Sequence, residues 1–244
     1  MRGISRAHLA SFFGRNVEDY ERGRPTYPRE AVRWLLGDAQ RVIDLGAGTG
    51  KLTSTLATCV PEVVAVEPQL SMVSQLNRAV PGAPAVCGRA EQIPIRSRWA
   101  DAVLVAQAFH WFDQDRALPE IDRVLEPHGH LGLIWNVRDE SIDWIAELSR
   151  IASKDNSAHI RSSLTQVPLF KPFETKTFEM VQVLDRTALL AHVRSRSSVA
   201  AVDEAERRRI MKAVVQLCDT HPDLAGKTRF ELRYLTQAFR AHKQ

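Results

Sequence analysis

Cysteine is scarce: three in 244 residues. Cys59, Cys87 and Cys218 lie far apart and no CxxC occurs, so neither a disulfide framework nor a zinc cage is expected, and a reducing cytoplasm fits. Tyrosine is scarcer than phenylalanine, three against nine, and two of the three, Tyr20 and Tyr27, fall in the first 28 residues. No run of about 18 consecutive apolar residues occurs, which leaves no membrane-spanning helix. The opening MRGISRAHLASFFGRN lacks the apolar stretch of a signal peptide. Repeats and low-complexity tracts are absent. Neither sign of charge dominates, since 33 Lys and Arg face 29 Asp and Glu for a net charge of +4. The densest basic run, Arg207-Arg208-Arg209, follows Glu204 and Glu206 and reads as a solvated helix face rather than a nucleic-acid tract. What is there is an ordinary globular balance, 44% hydrophobic and 25% charged, which excludes a disordered chain and supplies a sizeable core. The length suits one large domain, or one domain with an appendage.

Periodicity organises the first half into alternating elements. A short helix pattern runs from Arg29 to Leu36, and Arg41–Leu45 reads as a strand that stops at Gly46-Ala47-Gly48-Thr49-Gly50. A helix over about Lys51–Thr58 follows, then an apolar run at Glu62–Val66 closed by Glu67-Pro68. Val73, Leu76 and Val80 mark one face of a helix. Ala83–Cys87 is a third strand, and Asp101–Ala106 a fourth, apolar on both faces as a central parallel strand should be. Asp113–Leu125 is a helix and His130–Trp135 a fifth strand. This alternation predicts βαβ units around a parallel sheet. Beyond Asn136 the rhythm changes: Ser141–Ile151 reads as helix, Ser153–Pro172 as polar and irregular, Thr175–Leu184 as strand. Arg207–Cys218 is an amphipathic helix with Ile210, Val214, Leu217 and Cys218 on one side, and Lys227–Leu235 is a last strand.

The strongest signal is Val42-Ile43-Asp44-Leu45-Gly46-Ala47-Gly48-Thr49-Gly50. Glycines at the carboxyl end of a first strand allow a tight turn and bring a ligand against bare backbone. The turn feeds a helix N-terminus, whose free N–H groups and positive dipole end suit anionic groups. A dinucleotide fingerprint needs GxGxxG, which would put its third glycine at Lys51, where a long side chain would block close helix–strand packing. The spacing present is Asp44-x-Gly46-x-Gly48-x-Gly50, with Glu67 ending the second strand about 20 residues on.

This pattern resembles the class I S-adenosylmethionine-dependent methyltransferases. The resemblance implies a doubly wound, mostly parallel seven-stranded Rossmann-like sheet with an antiparallel last strand, and a helical cap or insertion over about 137–227. It implies S-adenosyl-L-methionine as cofactor, S-adenosyl-L-homocysteine as product, and no metal. Asp44, Gly46, Ala47, Gly48, Thr49 and Gly50 would lie beside the methionine part. Glu67 would accept both ribose hydroxyls, as a carboxylate suits two vicinal O–H donors, with Pro68 next to it also at the cofactor. Gly88-Arg89-Ala90-Glu91-Gln92-Ile93-Pro94-Ile95 resembles the family's adenine border, which assigns Ala90 and Glu91 to the cofactor. Gln107-Ala108-Phe109-His110-Trp111-Phe112 resembles the loop after the fourth strand, where Gln107 approaches the cofactor. Asp122–Leu131 is similar to the family's turn into the fifth strand, which would hold His128 and His130 without chemistry. Together with Tyr20-Glu21-Arg22-Gly23-Arg24-Pro25-Thr26-Tyr27-Pro28, the His110-Trp111 loop resembles the small-molecule branch around the ubiquinone-biosynthesis and trans-aconitate methyltransferases. The match covers about residues 15–137.

The implied chemistry is an in-line displacement at a methyl already activated by its sulfonium, so alignment is the main demand. His110 is the candidate base, because imidazole titrates near neutral pH, at about 6.5. Tyr20, Arg24 and Tyr27, an arginine flanked by tyrosines, form a constellation that suits a carboxylate, either that of the cofactor or that of an acidic substrate. Tyr27, Trp111, Asn136 and Arg138 are the candidate substrate contacts. Arg194-Ser195-Arg196-Ser197 is either a second anion site or a polar helix end. Three segments follow: an N-terminal lid over 1–28, a cofactor-binding core over 29–137, and a cap with the last two strands over 138–244. The expected partner is a small molecule, with no nucleic acid and no membrane span, for a cytoplasmic monomer or homodimer. Two alternatives remain open, a nucleic-acid methyltransferase and a cofactor-binding module without catalysis. Against the first, the loop after the fourth strand lacks the Asn- or Asp-Pro-Pro-aromatic stretch of base-amino methylating enzymes.

Overall fold

The computed structural model describes residues 17–152, 167 and 169–244. The expected irregular stretch over 153–172 and the start of the N-terminal lid therefore lie largely outside the described residues. Seven strands form one sheet in the order β3-β2-β1-β4-β5-β7-β6. They are β1 Arg41–Leu45, β2 Glu62–Glu67, β3 Ala85–Cys87, β4 Ala100–Ala106, β5 Leu125–Arg138, β6 Glu174–Leu184 and β7 Phe230–His242. This is a seven-stranded, mostly parallel sheet with an antiparallel last strand, as the resemblance led us to expect. β1 pairs in parallel with β2 (Asp44 opposite Ala65) and with β4 (Asp44 opposite Leu104). β7 runs antiparallel: Asp139 N–H bonds Arg233 O, and Lys243 N–H bonds Gly129 O.

By contacts the chain divides into two compact units. One comprises 26–136, 156–179 and 236–244. It holds β1–β4 and the helices α2 Arg29–Leu36, α3 Lys51–Leu56, α4 Leu70–Ala79 and α5 Gln114–Val124, with a 3-10 turn at Phe109–Trp111. β1 is buried on both faces at Val42, Ile43, Asp44 and Leu45 because it is central, flanked by β2 and β4. Helix α2 buries Ala31, Val32, Leu35 and Leu36, a stripe at helical spacing. These pack with Tyr27, Leu52, Leu76, Leu104, Ile134 and Ala238 in one apolar core. Strand β5 is longer than predicted. Ala100 pairs with Leu125 and Ala102 with His130, so Glu126–Gly129 bulges out of the ladder. His128 is thus a strand residue rather than a turn residue, and His130 lies in the strand, as expected of His130–Trp135. His128 is exposed, whereas His130 is buried and its Nε2–H donates to Leu35 O at 2.6 Å.

The other unit comprises 1–25, 137–155 and 180–235. Among the described residues its helices are α1 Val17–Gly23, α6 Asp143–Ile151, α7 Arg186–Arg194, α8 Ser197–Ala200 and α9 Glu204–Thr220. Two aspartates start helices here. Asp185 accepts from Ala188 N–H at 2.7 Å and Asp203 from Glu206 N–H at 2.8 Å, caps that contribute about 1 kcal/mol each. Trp144, Leu148, Leu189, Val193, Val214 and Leu217 are among the residues of its core. Strand β7 begins later than predicted and runs on to His242, because Thr236 and Ala238 continue the buried alternation past Leu235 and Phe239 and Ala241 stay buried beyond it.

Candidate functional site

The carboxyl ends of β1 and β2 carry the site. The chain leaves β1 through Gly46, Gly48 and Gly50, whose φ values are +74°, +58° and +93°. Three left-handed residues within five positions are accessible to glycine and costly for others, by roughly 1–2 kcal/mol each. At Gly46 a Cβ would also meet Ala108 Cβ at 2.8 Å, and at Gly50 it would meet Leu76 Cγ at 2.9 Å. The turn is therefore glycine for backbone and for space.

Two acids frame it. Asp44, at the end of β1, is fully buried, and its Oδ2 accepts the Thr53 hydroxyl at 2.6 Å. Among the described residues its Oδ1 has no partner, and neither does the buried Thr49 hydroxyl. Glu67 ends β2. Its Oε2 accepts Gly48 N–H at 3.0 Å and its Oε1 accepts Gln69 N–H at 3.1 Å. Burial pushes Asp44 up to about 7; the Thr53 hydroxyl opposes this and the charge of Glu67 adds to it. Burial raises Glu67 as well, against the Gly48 and Gln69 N–H bonds. Burying two carboxylates together is unfavourable unless positive charge or further donors meet them.

The predicted residues of this unit join up along the same edge. Gln107, just past β4, has φ +56°, and its Nε2 donates to Asn136 O at 3.3 Å. Asn136 is buried, donates Nδ2 to Thr26 O at 2.9 Å and accepts the Thr236 hydroxyl at 2.7 Å. Tyr27, next to Thr26 in the chain, is buried in the core. The left-handed step at Gln107 turns the chain into the 3-10 turn, where Phe109 is buried and His110 is exposed. The His110 ring lies beside that of Trp111, centroids 4.9 Å apart. Phe112 reaches back to within 3.4 Å of where a Gly46 Cβ would be. Glu91 acts locally, its Oε1 accepting Asp113 N–H at 3.0 Å just ahead of α5. Partial burial acts to raise Glu91, yet that bond and the Arg89 charge outweigh it and hold the carboxyl below its usual range. Ala90 is buried and Pro68 exposed.

Tyr20, Arg24 and Arg138 lie in the other unit. Arg24 donates Nε to Ser195 Oγ at 3.1 Å and Nη2 to Ser195 O at 2.9 Å, with its guanidinium over the Tyr20 ring. Arg194 forms a two-bond pair with Asp19 at 2.8 and 2.9 Å. Of the Arg194–Ser197 run, Arg194 and Ser195 thus fasten α1 to α7. Arg138 is buried, with 2% exposure.

One residue escaped the sequence reading. Leu70, the first residue of α4, is 71% exposed although large and apolar. The signal was available, since it follows Glu67-Pro68-Gln69 and falls off the Val73–Leu76–Val80 stripe.

The residues present fit a nucleoside carrying a cation. Asp44 Oδ1 and Thr49 Oγ1 are buried acceptors without a donor among the described residues, the glycine turn leaves bare backbone, and each Glu67 oxygen keeps a lone pair for a hydroxyl. A family profile described as "Methyltransferase domain" matches residues 43–133. An uncharacterized methyltransferase of Mycobacterium tuberculosis is 44% identical over 238 residues, covering 97% of this chain and 98% of the relative. An uncharacterized methyltransferase-like protein of Schizosaccharomyces pombe is 32% identical over 244 residues, covering 95% of each chain. A solved chain from Anaeromyxobacter dehalogenans, described as a candidate type II methyltransferase, superposes with a TM-score of 0.68 at 25% identity, covering 90% of this chain and 97% of that one. The glycine turn, the two acids and these full-length likenesses converge: the chain belongs to the class I S-adenosylmethionine-dependent methyltransferases.

Proposed function

We propose that this methyltransferase moves the S-methyl group of S-adenosylmethionine to a small-molecule acceptor, as in the small-molecule branch it resembles. The observation that carries the reading is Asp44 Oδ1, without a partner among the described residues, beside the Gly46–Gly50 turn, with the His110-bearing turn packed against Gly46. When bound, the cofactor supplies a methyl on a sulfonium, whose departure leaves a neutral thioether. Asp44 and Thr49 accept from its ammonium, Glu67 accepts its ribose hydroxyls, and Leu70 offers an apolar face for the base. Ala90 borders that base. Gln107 directs the 3-10 turn toward the cofactor. His110, exposed on that turn, takes the proton of an acceptor that arrives protonated, and Trp111 lines the approach. Holding the reactants in line supplies on the order of 7–11 kcal/mol of the barrier reduction.

A small acceptor is favoured over nucleic acid by how the charges are used. Arg207 and Arg209, the ends of the densest basic run, pair with Glu204 and Glu206 on the same helix, at 3.0 and 2.8 Å. Arg186 and Arg194 pair with Asp219 and Asp19. Cations neutralised in this way do not track a phosphate backbone.

The test is calorimetric binding of S-adenosylmethionine, followed by transfer of labelled methyl into a small-molecule extract. Glu67→Ala should weaken cofactor affinity at least about tenfold, the loss expected for two hydroxyl hydrogen bonds to a charged group. Unchanged affinity would remove the ribose role. Binding without incorporation into any small molecule, but with incorporation into RNA, would overturn the choice of acceptor.

A further inference from the structure

We propose that the Asp44–Glu67 pair makes cofactor binding proton-linked: the cofactor-free site carries one extra proton on Asp44, and that proton leaves to solvent when a cationic ammonium settles against Asp44 Oδ1. The inference rests on the reading above that this pocket takes S-adenosylmethionine, and extends it to the protonation state of the free protein.

The geometry argues for the proton. Asp44 is fully buried in the central strand, and among the described residues only one of its oxygens is bonded, to Thr53 of α3. Among the described residues the charged group that acts on it is Glu67 of β2, of the same sign. Glu67 is the better solvated of the two, since two backbone N–H groups, those of Gly48 and Gln69, donate to it. When two acids share a buried site, the one with fewer donors keeps its proton. That one is Asp44, and its rise to about 7, against a rise of Glu67 that two N–H bonds oppose, accords with this. A bound ammonium reverses the balance, because it brings positive charge and N–H donors to the oxygen that has none. In the balanced step, Asp44 passes from carboxylic acid to carboxylate, one proton goes to the buffer, and no other bond changes.

The linkage has a readable sign. Where the free site is protonated and the complex is not, affinity falls about tenfold for each pH unit of acidification. Well above pH 7 the site is already ionised and Asp44 contributes no slope. The ligand's own α-amino group, held charged by its neighbouring carboxylate, titrates well above neutral and contributes an opposite slope only at high pH, one that does not involve Asp44.

The experiment is calorimetric titration of S-adenosylhomocysteine into the full chain at pH 6, 7 and 8.5, each in two buffers of different ionisation heat. The expected result is release of nearly one proton per ligand at pH 6 and about half a proton at pH 7, the fraction protonated for a group titrating near 7. The affinity should be about tenfold weaker at pH 6 than on the plateau. Asp44→Asn keeps the acceptor for Thr53 and should abolish release at pH 6 while leaving the high-pH slope. Thr53→Val removes the hydroxyl that favours the charged carboxylate, and should move the release window to higher pH even if the asparagine variant binds too weakly to titrate. Binding to the wild type with no release at pH 6, or equal release from wild type and Asp44→Asn, overturns the proton linkage and leaves the methyltransferase site standing. No binding by the folded protein at any pH overturns the cofactor reading itself.

Discussion

Gln107 shows what a single backbone angle contributes. Its φ of +56° is one that a long L side chain rarely adopts, and the cost is of order 1–3 kcal/mol. The strain falls where β4 hands over to the turn that carries His110 and Trp111, and the amide bond to Asn136 O holds it there. Gln107→Asn should be near neutral in urea melts, because asparagine tolerates the left-handed region. Gln107→Val, branched at Cβ, should lose about 1–3 kcal/mol. Equal melts for the two variants would show that the angle is not a constraint. The position of Gln107 was legible from the end of an apolar run. Its angle was not, since nothing in local composition distinguishes a left-handed glutamine from an extended one.

At the scale of elements, the N-terminal helix α1 is held by its packing on α7. The Gly23 carbonyl receives His192 Nδ1 at 3.0 Å and Gln182 Nε2 at 3.2 Å, and a Cβ at Gly23 would collide with the His192 backbone. Gly23→Ala should therefore destabilise the protein by about 1–3 kcal/mol, the range for forcing volume into a packed contact. Hydrogen exchange should accelerate first in 17–23 and 186–194. Unaltered protection there would show that α1 contributes little. The sequence reading placed Tyr20 and Arg24 in a carboxylate clamp because an arginine flanked by tyrosines suits an anion. The described Arg24 bonds go to Ser195, 171 residues away, a partner that no local spacing encodes. By contrast α2, α5 and α9 were legible to within a few residues, because each carries an apolar stripe at helical spacing and the stripe is what becomes buried.

For the molecule as a whole, two buried groups oppose each other in the acid range. Asp44 is raised from 3.8 to about 7, so the native state binds its proton more tightly than the unfolded state. Its contribution is fully present below about pH 4 and is lost as pH rises through 7. His130 is lowered from 6.5 to about 4, chiefly by burial. The unfolded state protonates first, so stability is lost as pH falls from 6.5 towards 4. The two slopes, each about 1.4 kcal/mol per pH unit at most, run in opposite directions between pH 4 and 6.5. The cofactor-free protein should therefore show a nearly flat melting temperature over that window. In Asp44→Asn the Asp44 slope is gone and the raised Glu67 is left to oppose His130, so the melting temperature should fall more on acidification than in the wild type while exceeding the wild-type value at pH 8. A wild-type melting temperature that falls steeply between pH 6.5 and 4.5 would contradict this balance.

The sequence by itself determined the parallel βαβ start, the glycine turn at 46–50 and the acid at the end of β2. Each is a local matter: steric permission at a turn, period-two or helical burial, and spacing along a strand. Only the tertiary structure decided that Glu67 meets Gly48 N–H, that Asp44 is sealed from water with one oxygen unmet among the described residues, and that Asn136 joins Thr26 to Thr236. Those facts depend on which distant backbone groups the packed sheet brings within 3 Å or so, the hydrogen-bond range. That proximity is a property of three-dimensional packing, and the spacing of residues along the chain does not carry it.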